Sequence, residues 1–415
     1  MSLRIERAAA AGAPRLHWEG RPEGPLEVEP ALLENNERWA DRAANLSGRL
    51  ILGDNLPAMA ALEPGSVRLC YLDPPFFSGA RYRHRIKLRD LSWEVDAFDD
   101  VWSGGLGEYL SFLEPRLRLI AHLLAEDGSV YLHLDASAAH YVKVLMDEIF
   151  GAEHFSRQII WRIGWVSGFK TRAQNWVRNH DVILYYARPG APFHKKLLPH
   201  PDGYERRGGG EGEGRPIEDV WTDLDSIQVK SFSAEKTGYA TQKNVALLER
   251  IVEASSDPGD LVLDPFGGAG TTAVAAARLG REFVSIDALP LAIHQSRRRL
   301  IDEGVPFAVA GEIPERAGGL EAEAEWSLAG PVVRLLEVPG ADGPREVSSL
   351  ERLDAWWICE RSSKTPIWFT HRPTGGRHPD PVTVESEPLT VRGGTPLRLT
   401  AVDLAGGHHL GKLEV

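Results

Sequence analysis

At 415 residues the chain exceeds what one compact core usually organises, roughly 250 to 300 residues, so two domains are expected. Its 43% hydrophobic and 26% charged residues are ordinary for a soluble protein. No apolar run nears the about 20 residues that span a bilayer, and two cysteines, Cys70 and Cys359, exclude a disulfide framework or a cysteine zinc cluster. A formal net charge of −12 argues against nucleic-acid binding over the whole surface and leaves that task to a local patch. A cytoplasmic, membrane-free location is expected, because Ala8 to Ala11 is too short a run for a signal peptide.

Residues 1–45 are rich in Pro, Gly and Glu with little periodicity, and read as a loosely ordered extension. Strands are then predicted at Arg49 to Leu52 and Val67 to Leu72, a helix over Glu108 to Leu124, and a strand over Ser129 to Leu134. A second helix is predicted over Ala136 to Phe150 and a further strand over Asp181 to Tyr186. The Gly-rich stretch from Pro192 to Ile217 breaks this rhythm and reads as a surface insertion. A helix from Asn244 to Ser255, with Thr241 as its expected cap, restores it. Leu261 to Leu263 is a strand, Thr272 to Leu279 a helix closed by Gly280, and Glu282 to Ile286 another strand. Beyond about residue 315 the helical pattern ends. Val332 to Val338, Pro366 to His371, Val382 to Glu387 and Leu397 to Val402 read as a small all-β domain, with Trp356, Trp357 and Trp368 in its core.

Two turns at strand ends carry chemistry. Asp73-Pro74-Pro75-Phe76 joins a carboxylate to two rigid residues, whose carbonyls can face outward as acceptors, and to a ring that offers a stacking face. Such a turn suits a flat amine; the competing reading is a stiff turn capped by Asp73. Asp264-Pro265-Phe266-Gly267-Gly268-Ala269-Gly270-Thr271-Thr272 lies between a buried strand and a small-residue helix, where backbone and helix N-terminus can approach a ligand. About 20 residues on, Asp287 ends the next strand, where an acid can accept ribose hydroxyls. The third glycine of the dinucleotide fingerprint is missing, as is a Gly-Lys-Ser/Thr phosphate loop, so NAD and ATP are disfavoured. Between the two turns, the run from Arg81 to Arg89 holds five arginines and lysines with Tyr82 and His84, a candidate basic patch.

Gly53-Asp54-Asn55-Leu56, Tyr71 to Phe76, Gly128 to Trp161, Asn179 to Leu184, Thr241-Gln242-Lys243 and the Asp264 turn occur in an order that resembles the permuted β class of amino-group DNA methyltransferases, over roughly residues 46 to 302. Two positions depart from that pattern: Asn244 stands where Pro usually follows Thr-Gln-Lys, and Phe76 stands for the commoner Tyr. The resemblance implies an α/β fold, a Rossmann-like methyltransferase sheet with helices on both faces, beside the small C-terminal all-β domain. It divides the chain into a catalytic half at 46–192, a short target-recognition-like insertion at 193–235, a cofactor half at 236–312 and the β domain at 313–415. It implies S-adenosylmethionine as cofactor, duplex DNA as partner, no metal, and transfer to adenine N6 of a flipped-out base. A restriction or defence-system partner and a homodimer stay open.

Under the same resemblance Asp73, Pro74, Pro75 and Phe76 are catalytic. Phe266, Gly268, Gly270 and Thr271 cradle the cofactor, with Asp264 at its methionine amine and Asp287 at its ribose. Lys243 or Thr241 is expected at the methionine carboxylate, and Asp54 near the adenine or, equally, as the cap of the helix that follows it. Sequence discrimination is expected to be shared among the insertion, the basic run, Lys170, Arg172 and Arg178. The alternatives are a cytosine-N4 enzyme, a small-molecule or RNA methyltransferase, and a non-catalytic DNA-binding scaffold.

Overall fold

A computed structural model describes residues 2–40, 45–88, 91–164, 172, 174–200, 214–223, 237, 239, 241–312, 319–327, 329–339, 341, 348–371, 382–405 and 407–415. Ten strands form one sheet, in the spatial order Val220–Trp221, Phe155–Arg162, His180–Ala187, Leu124–Leu134, Val67–Leu72, Leu261–Asp264, Glu282–Asp287, Gly48–Leu52, Phe307–Gly311 and Asn35–Trp39. From Leu124–Leu134 to Phe307–Gly311 every neighbour is parallel. His180–Ala187 runs against both of its neighbours, and Asn35–Trp39 closes the far edge antiparallel.

Buried strand residues alternate between two apolar layers because helices cover both faces. Ile51, Cys70 and Leu72 meet helices Gly105–Leu123 and Ala139–Phe150 on one side. Leu50, Leu52, Leu69 and Tyr71 meet Val245–Ser255, Thr271–Arg278 and Pro290–Asp302 on the other. The sheet's centre brings together segments almost 200 residues apart: Cys70 pairs beside Leu263, so the turns after Leu72 and after Asp264 emerge side by side at the carboxyl ends of parallel strands. Ligands of open α/β sheets bind at such a switch point.

The N-terminal segment differs from the loosely ordered extension expected. Leu3–Ile5 pairs with Leu26–Val28, Asn35–Trp39 joins the main sheet, and Arg21 donates to both Glu114 and Glu148, which are fully buried. Burial raises the Glu114 carboxyl, but Arg21 and Arg118 outweigh it and hold that group below its ordinary value. These contacts are long-range and polar, which is why no local periodicity announces them.

Three further expectations are corrected. The helix at Val245–Ser255 is capped by Asn244, whose Oδ1 accepts from Ala246 N at 2.8 Å, and not by Thr241. The C-terminal four-stranded sheet runs Trp368–His371, Leu353–Glu360, Pro396–Asp403, His408–Glu414, and its most buried strand, Leu353–Glu360, was not predicted. That strand sends Trp356 and Ile358 into its own core and Ala355, Trp357 and Cys359 into the core of the main sheet. Covered on both faces, it shows no polar alternation. Val382 to Glu387 contributes one isolated bridge, Glu385 to Arg334. Trp356 and Trp357 are core residues as expected, while the side chain of Trp368 lies outside the described set. Among the described residues no helix is long and apolar enough to cross a membrane.

Candidate active site

A cavity of about 410 Å³ opens where the two turns meet, within the roughly 300 to 1,000 Å³ usual for ligand pockets. Asp54, Asp73, Pro75, Thr241, Lys243, Asp264, Phe266, Gly268, Thr271 and Asp287 all line it, and Pro74, Phe76 and Gly270 are chain neighbours of lining residues. On the cofactor side the Asp264 turn is tightly held. Asp264 accepts from Phe266 N at 2.9 Å and from the Thr272 hydroxyl at 2.5 Å, and Asp287 accepts from Gly268 N and Leu289 N at 2.9 and 2.8 Å. Asn55 Nδ2 donates to Pro265 O at 2.8 Å, and Arg116 Nε donates to Asn55 Oδ1 at 2.7 Å.

Gly268 and Gly270 both have positive φ, and a Cβ on Gly270 would meet Ser296 Oγ at 2.5 Å, so the turn demands glycine there. Desolvation lifts the Asp264 carboxyl to about 7 and the Asp287 carboxyl to about 6. A cationic, hydroxyl-bearing ligand would restore the charge that burial disfavours on these two carboxylates, beside a turn left partly open at Phe266 and Gly268. That is the chemistry of S-adenosylmethionine, whose amine is charged and whose ribose offers two hydroxyls, so the residues present fit it.

Asp54 is the helix cap and also lines the cavity. It accepts from Leu56 N at 2.9 Å as the cap of helix Asn55–Ala60, pairs with Arg116 at 3.3 Å, and stays largely exposed on the cavity wall.

On the catalytic side, Asp73 Oδ2 is bound by Lys243 Nζ, while its buried Oδ1 has no hydrogen-bond partner among the described residues. The nearest ring nitrogen is His133 Nδ1, 4.0 Å away. The Tyr71 hydroxyl, kept protonated by burial and by the Asp73 charge, is hydrogen-bonded to that nitrogen at 2.8 Å, and Nε2 of the ring faces Asp181 at 3.3 Å. Burial raises the Asp181 carboxyl, but His133, Lys243 and Arg178 together hold it below its ordinary value. Phe76 lies with its ring 5.5 Å from His133 and 5.0 Å from Lys243 Nζ.

Sequence reasoning missed Asp100, which holds the chain immediately after the Asp73–Phe76 turn. Its carboxylate is fully buried and accepts from Phe77 N at 2.9 Å, Ser78 N at 2.7 Å, Ser78 Oγ at 2.5 Å and Trp102 Nε1 at 2.9 Å. Phe77 has φ +63, a conformation that costs a non-glycine residue free energy, and the two amide bonds to Asp100 offset it. Asp100 follows Glu94, Asp96 and Asp99 in the chain, so nothing local sets it apart from its acidic neighbours. His133 and Arg116 were missed for the opposite reason: each belongs to an element whose periodicity already explained its burial, whereas Tyr239 lies in no element at all.

The basic run is also corrected. Arg81–Leu88 and Leu91–Asp99 form a hairpin, in which Arg81 pairs with Asp99 at 3.3 Å and Arg83 with Asp96 and Glu94 at 3.4 and 3.8 Å. Two of its cations, Arg81 and Arg83, are thus paired with the acids that follow them, while Arg89 and the side chain of Lys87 lie outside the described residues. Ala97 and Phe98 line the cavity, and Val95 packs with Tyr239 and Leu289, so the hairpin roofs the site. Arg178, itself exposed, pairs with Asp181 at 2.8 Å and Asp135 at 3.8 Å, Arg172 is exposed, and Lys170 lies outside the described residues, as does most of the Gly-rich insertion.

A parallel sheet with an acidic, proline-stiffened turn beside a glycine cradle suits a nucleotide-like cofactor and an amine. The sequence comparisons narrow this further. The family described as "DNA methylase" (N6_N4_Mtase) matches residues 67–298, more than half of the chain, and the protein belongs to it. The chain is 28% identical over 324 residues to the Type II methyltransferase M.EcaI of Enterobacter cloacae, covering 62% of this chain and 67% of that one. It is 28% identical over 279 residues to the DNA adenine methyltransferase YhdJ of Escherichia coli (strain K12), covering 62% and 84%. Among solved structures, the PvuII DNA methyltransferase (cytosine-N4-specific) aligns at TM-score 0.44 and 16% identity over 63% of this chain and 91% of that one. The M1.HpyAVI–SAM complex aligns at 0.40 and 20%, covering 61% and 98%. Likeness at that level adds nothing about substrate. Family membership and the fit of the cradle together support S-adenosylmethionine as the cofactor.

Proposed function

We propose that the protein methylates the exocyclic N6 of a flipped-out adenine in duplex DNA, in the permuted β-class arrangement, using S-adenosylmethionine. The carrying observation is Asp73: one oxygen fixed by Lys243, the other buried and unpartnered among the described residues, on the wall of the cavity lined by Gly268 and Asp287. An unsatisfied buried carboxylate oxygen is costly unless a ligand donates to it. An exocyclic amine has two hydrogens to give, and Asp73 Oδ1 and the Pro74 carbonyl are the proposed acceptors.

Accepting both hydrogens draws the amine nitrogen towards tetrahedral geometry and frees a lone pair otherwise delocalised into the ring. Catalysis is then positioning and electrostatics. The bound cofactor supplies an electrophilic methyl on a sulfonium. Asp73 is the nearest base for the proton that the amine loses. Phe76 offers a ring on which the extruded base stacks, and base extrusion is required because N6 is shielded within a stacked duplex. Lys243 aligns Asp73 from the cofactor side and can exchange that partner for the methionine carboxylate. In this reading Asp264 faces the methionine amine, Asp287 the ribose and Asp54 the adenine end, while residues 193–235 contact the target sequence.

Adenine is favoured over cytosine N4 by the leading Asp of the catalytic motif, and the name of the Escherichia coli relative agrees with that choice. A restriction nuclease as genetic partner is suggested by the Type II names of other relatives. The test is transfer of labelled methyl from S-adenosylmethionine to unmethylated duplex DNA. Label in DNA supports the proposal. Cofactor binding without transfer points to the scaffold reading, and label entering RNA alone points to an RNA enzyme.

A further inference from the structure

The family match ends at residue 298, yet the C-terminal sheet is joined to the cofactor turn by a short chain of buried polar contacts. The link is helix Pro290–Asp302. One of its faces carries His294 and Arg298, four residues apart, and both reach Asp354 on the C-terminal strand Leu353–Glu360. His294 Nε2 lies 2.7 Å and Arg298 NH1 2.6 Å from the same oxygen, Asp354 Oδ2. Arg297 beside them donates to His294 Nδ1 at 3.2 Å and to Glu37 Oε1 at 2.9 Å, with its guanidinium 5.0 Å from the ring of Trp357. Since His294 Nδ1 accepts, its proton is on Nε2 and is donated to Asp354.

The neighbouring face of the helix holds the cofactor turn. Ser296 Oγ shares its proton between Ala292 O and Gly268 O, at 2.9 and 3.1 Å. Arg299 NH1 donates to Ala269 O at 2.7 Å and to Thr271 Oγ1 at 3.0 Å. The turn has no slack against this helix, because any Cβ at Gly270 would strike Ser296. Asp354, His294, Arg298 and Arg299 are all more than nine-tenths buried, so water does not substitute for a lost partner.

We propose that Asp354 is a positioning residue for the cofactor: by fixing His294 and Arg298 it sets the register of helix Pro290–Asp302, and through Ser296 and Arg299 it holds the carbonyls of Gly268 and Ala269 away from the cavity. The amides of the turn are thereby left to the cofactor and to Asp287. The C-terminal sheet is then part of the cofactor site without touching the ligand. The inference rests on the reading of this cavity as an S-adenosylmethionine cradle.

The test is calorimetric titration of the full-length protein with S-adenosylhomocysteine and S-adenosylmethionine, alongside thermal unfolding and steady-state methyl transfer. Asp354→Asn keeps the shape and removes the charge. It should weaken binding of both ligands about tenfold, a size usual for coupling between sites. The maximal rate at saturating cofactor and the KM for DNA should stay within about twofold. Combining it with Ser296→Ala should add little further loss, since both act on one contact chain. Should Asp354→Asn not fold, Arg298→Lys, which keeps the charge but shifts the donor, decides the matter: it should weaken binding of both ligands about threefold, and wild-type binding by the folded variant overturns the inference. A folded Asp354→Asn protein that binds both ligands as wild type does overturns the inference. Wild-type protein that binds neither ligand overturns the cofactor reading and this inference with it, and the two failures are told apart by that control.

Discussion

The cofactor turn and the catalytic turn leave adjacent strands side by side, yet they are held in different ways. The Asp264 turn is secured by Thr272, Asp287, Asn55, Ser296 and Arg299, which come from three separate helices and one strand end. The Asp73 turn rests on one buried carboxylate, Asp100, and one lysine across the cavity, Lys243. The cradle is preformed and redundant, whereas the catalytic turn has single points of failure and one carboxylate oxygen left for a substrate. Cofactor binding and methyl transfer should therefore be separable by mutation.

The sharpest way to break that comparison is Asp73→Ala, which should lower transfer by about a thousandfold or more while S-adenosylmethionine binding stays within about threefold. Equal losses of both, measured by labelled transfer and calorimetry, would show that the two turns act as one. Next comes Asp100→Ala, which strips the acceptors from two backbone amides beneath a strained Phe77. Transfer should fall about a hundredfold, because a shift of about 1 Å in a positioned group has that effect, with cofactor affinity again preserved. Wild-type kcat in that variant would mean that Asp100 only tidies a loop.

On the other side, Gly268→Ala should weaken cofactor binding about tenfold. Its backbone φ is +49 and the added carbon would lie 3.4 Å from the Tyr239 ring, against the cavity. A variant that binds normally but transfers slowly would reverse the assignment of this turn.

The smallest effect is on pH. Asp264 at about 7 and Asp287 at about 6 lie above their unfolded values, so the cofactor-free fold binds more protons than the unfolded chain between about pH 4 and 7. These two groups therefore lower stability as pH rises through that window. A cationic ligand that needs both carboxylates ionised should bind severalfold more tightly at pH 8 than at pH 5.5, with proton release. Affinity that is flat with pH would remove Asp264 from the amine-binding role.

Much of the fold was legible in the sequence because a parallel sheet writes itself as short apolar runs between amphipathic helices: Val67 to Leu72, Leu261 to Leu263 and Glu282 to Ile286 all lie where the pattern put them. Ten of the thirteen residues singled out for the site line one cavity, Asp54, Asp73, Pro75, Thr241, Lys243, Asp264, Phe266, Gly268, Thr271 and Asp287, since motifs at strand ends converge when the strands are adjacent. What escaped depends on contacts between distant elements. Arg21 finds Glu148, Asp354 finds His294, and Asp100 finds the amides of a turn, and no local rule foretells any of these. The paired charges of the 81–99 hairpin were hidden for the same reason: composition shows the cations, and only the register shows their partners.

The central claim, an amine methylated at adenine N6, is tested most directly by digesting labelled DNA to nucleosides after incubation with the purified protein. The account predicts that the label elutes as N6-methyldeoxyadenosine and is absent when Asp73 is alanine. Label in N4-methyldeoxycytidine would contradict the choice of base, and label at C5 of cytosine would contradict the amine chemistry itself.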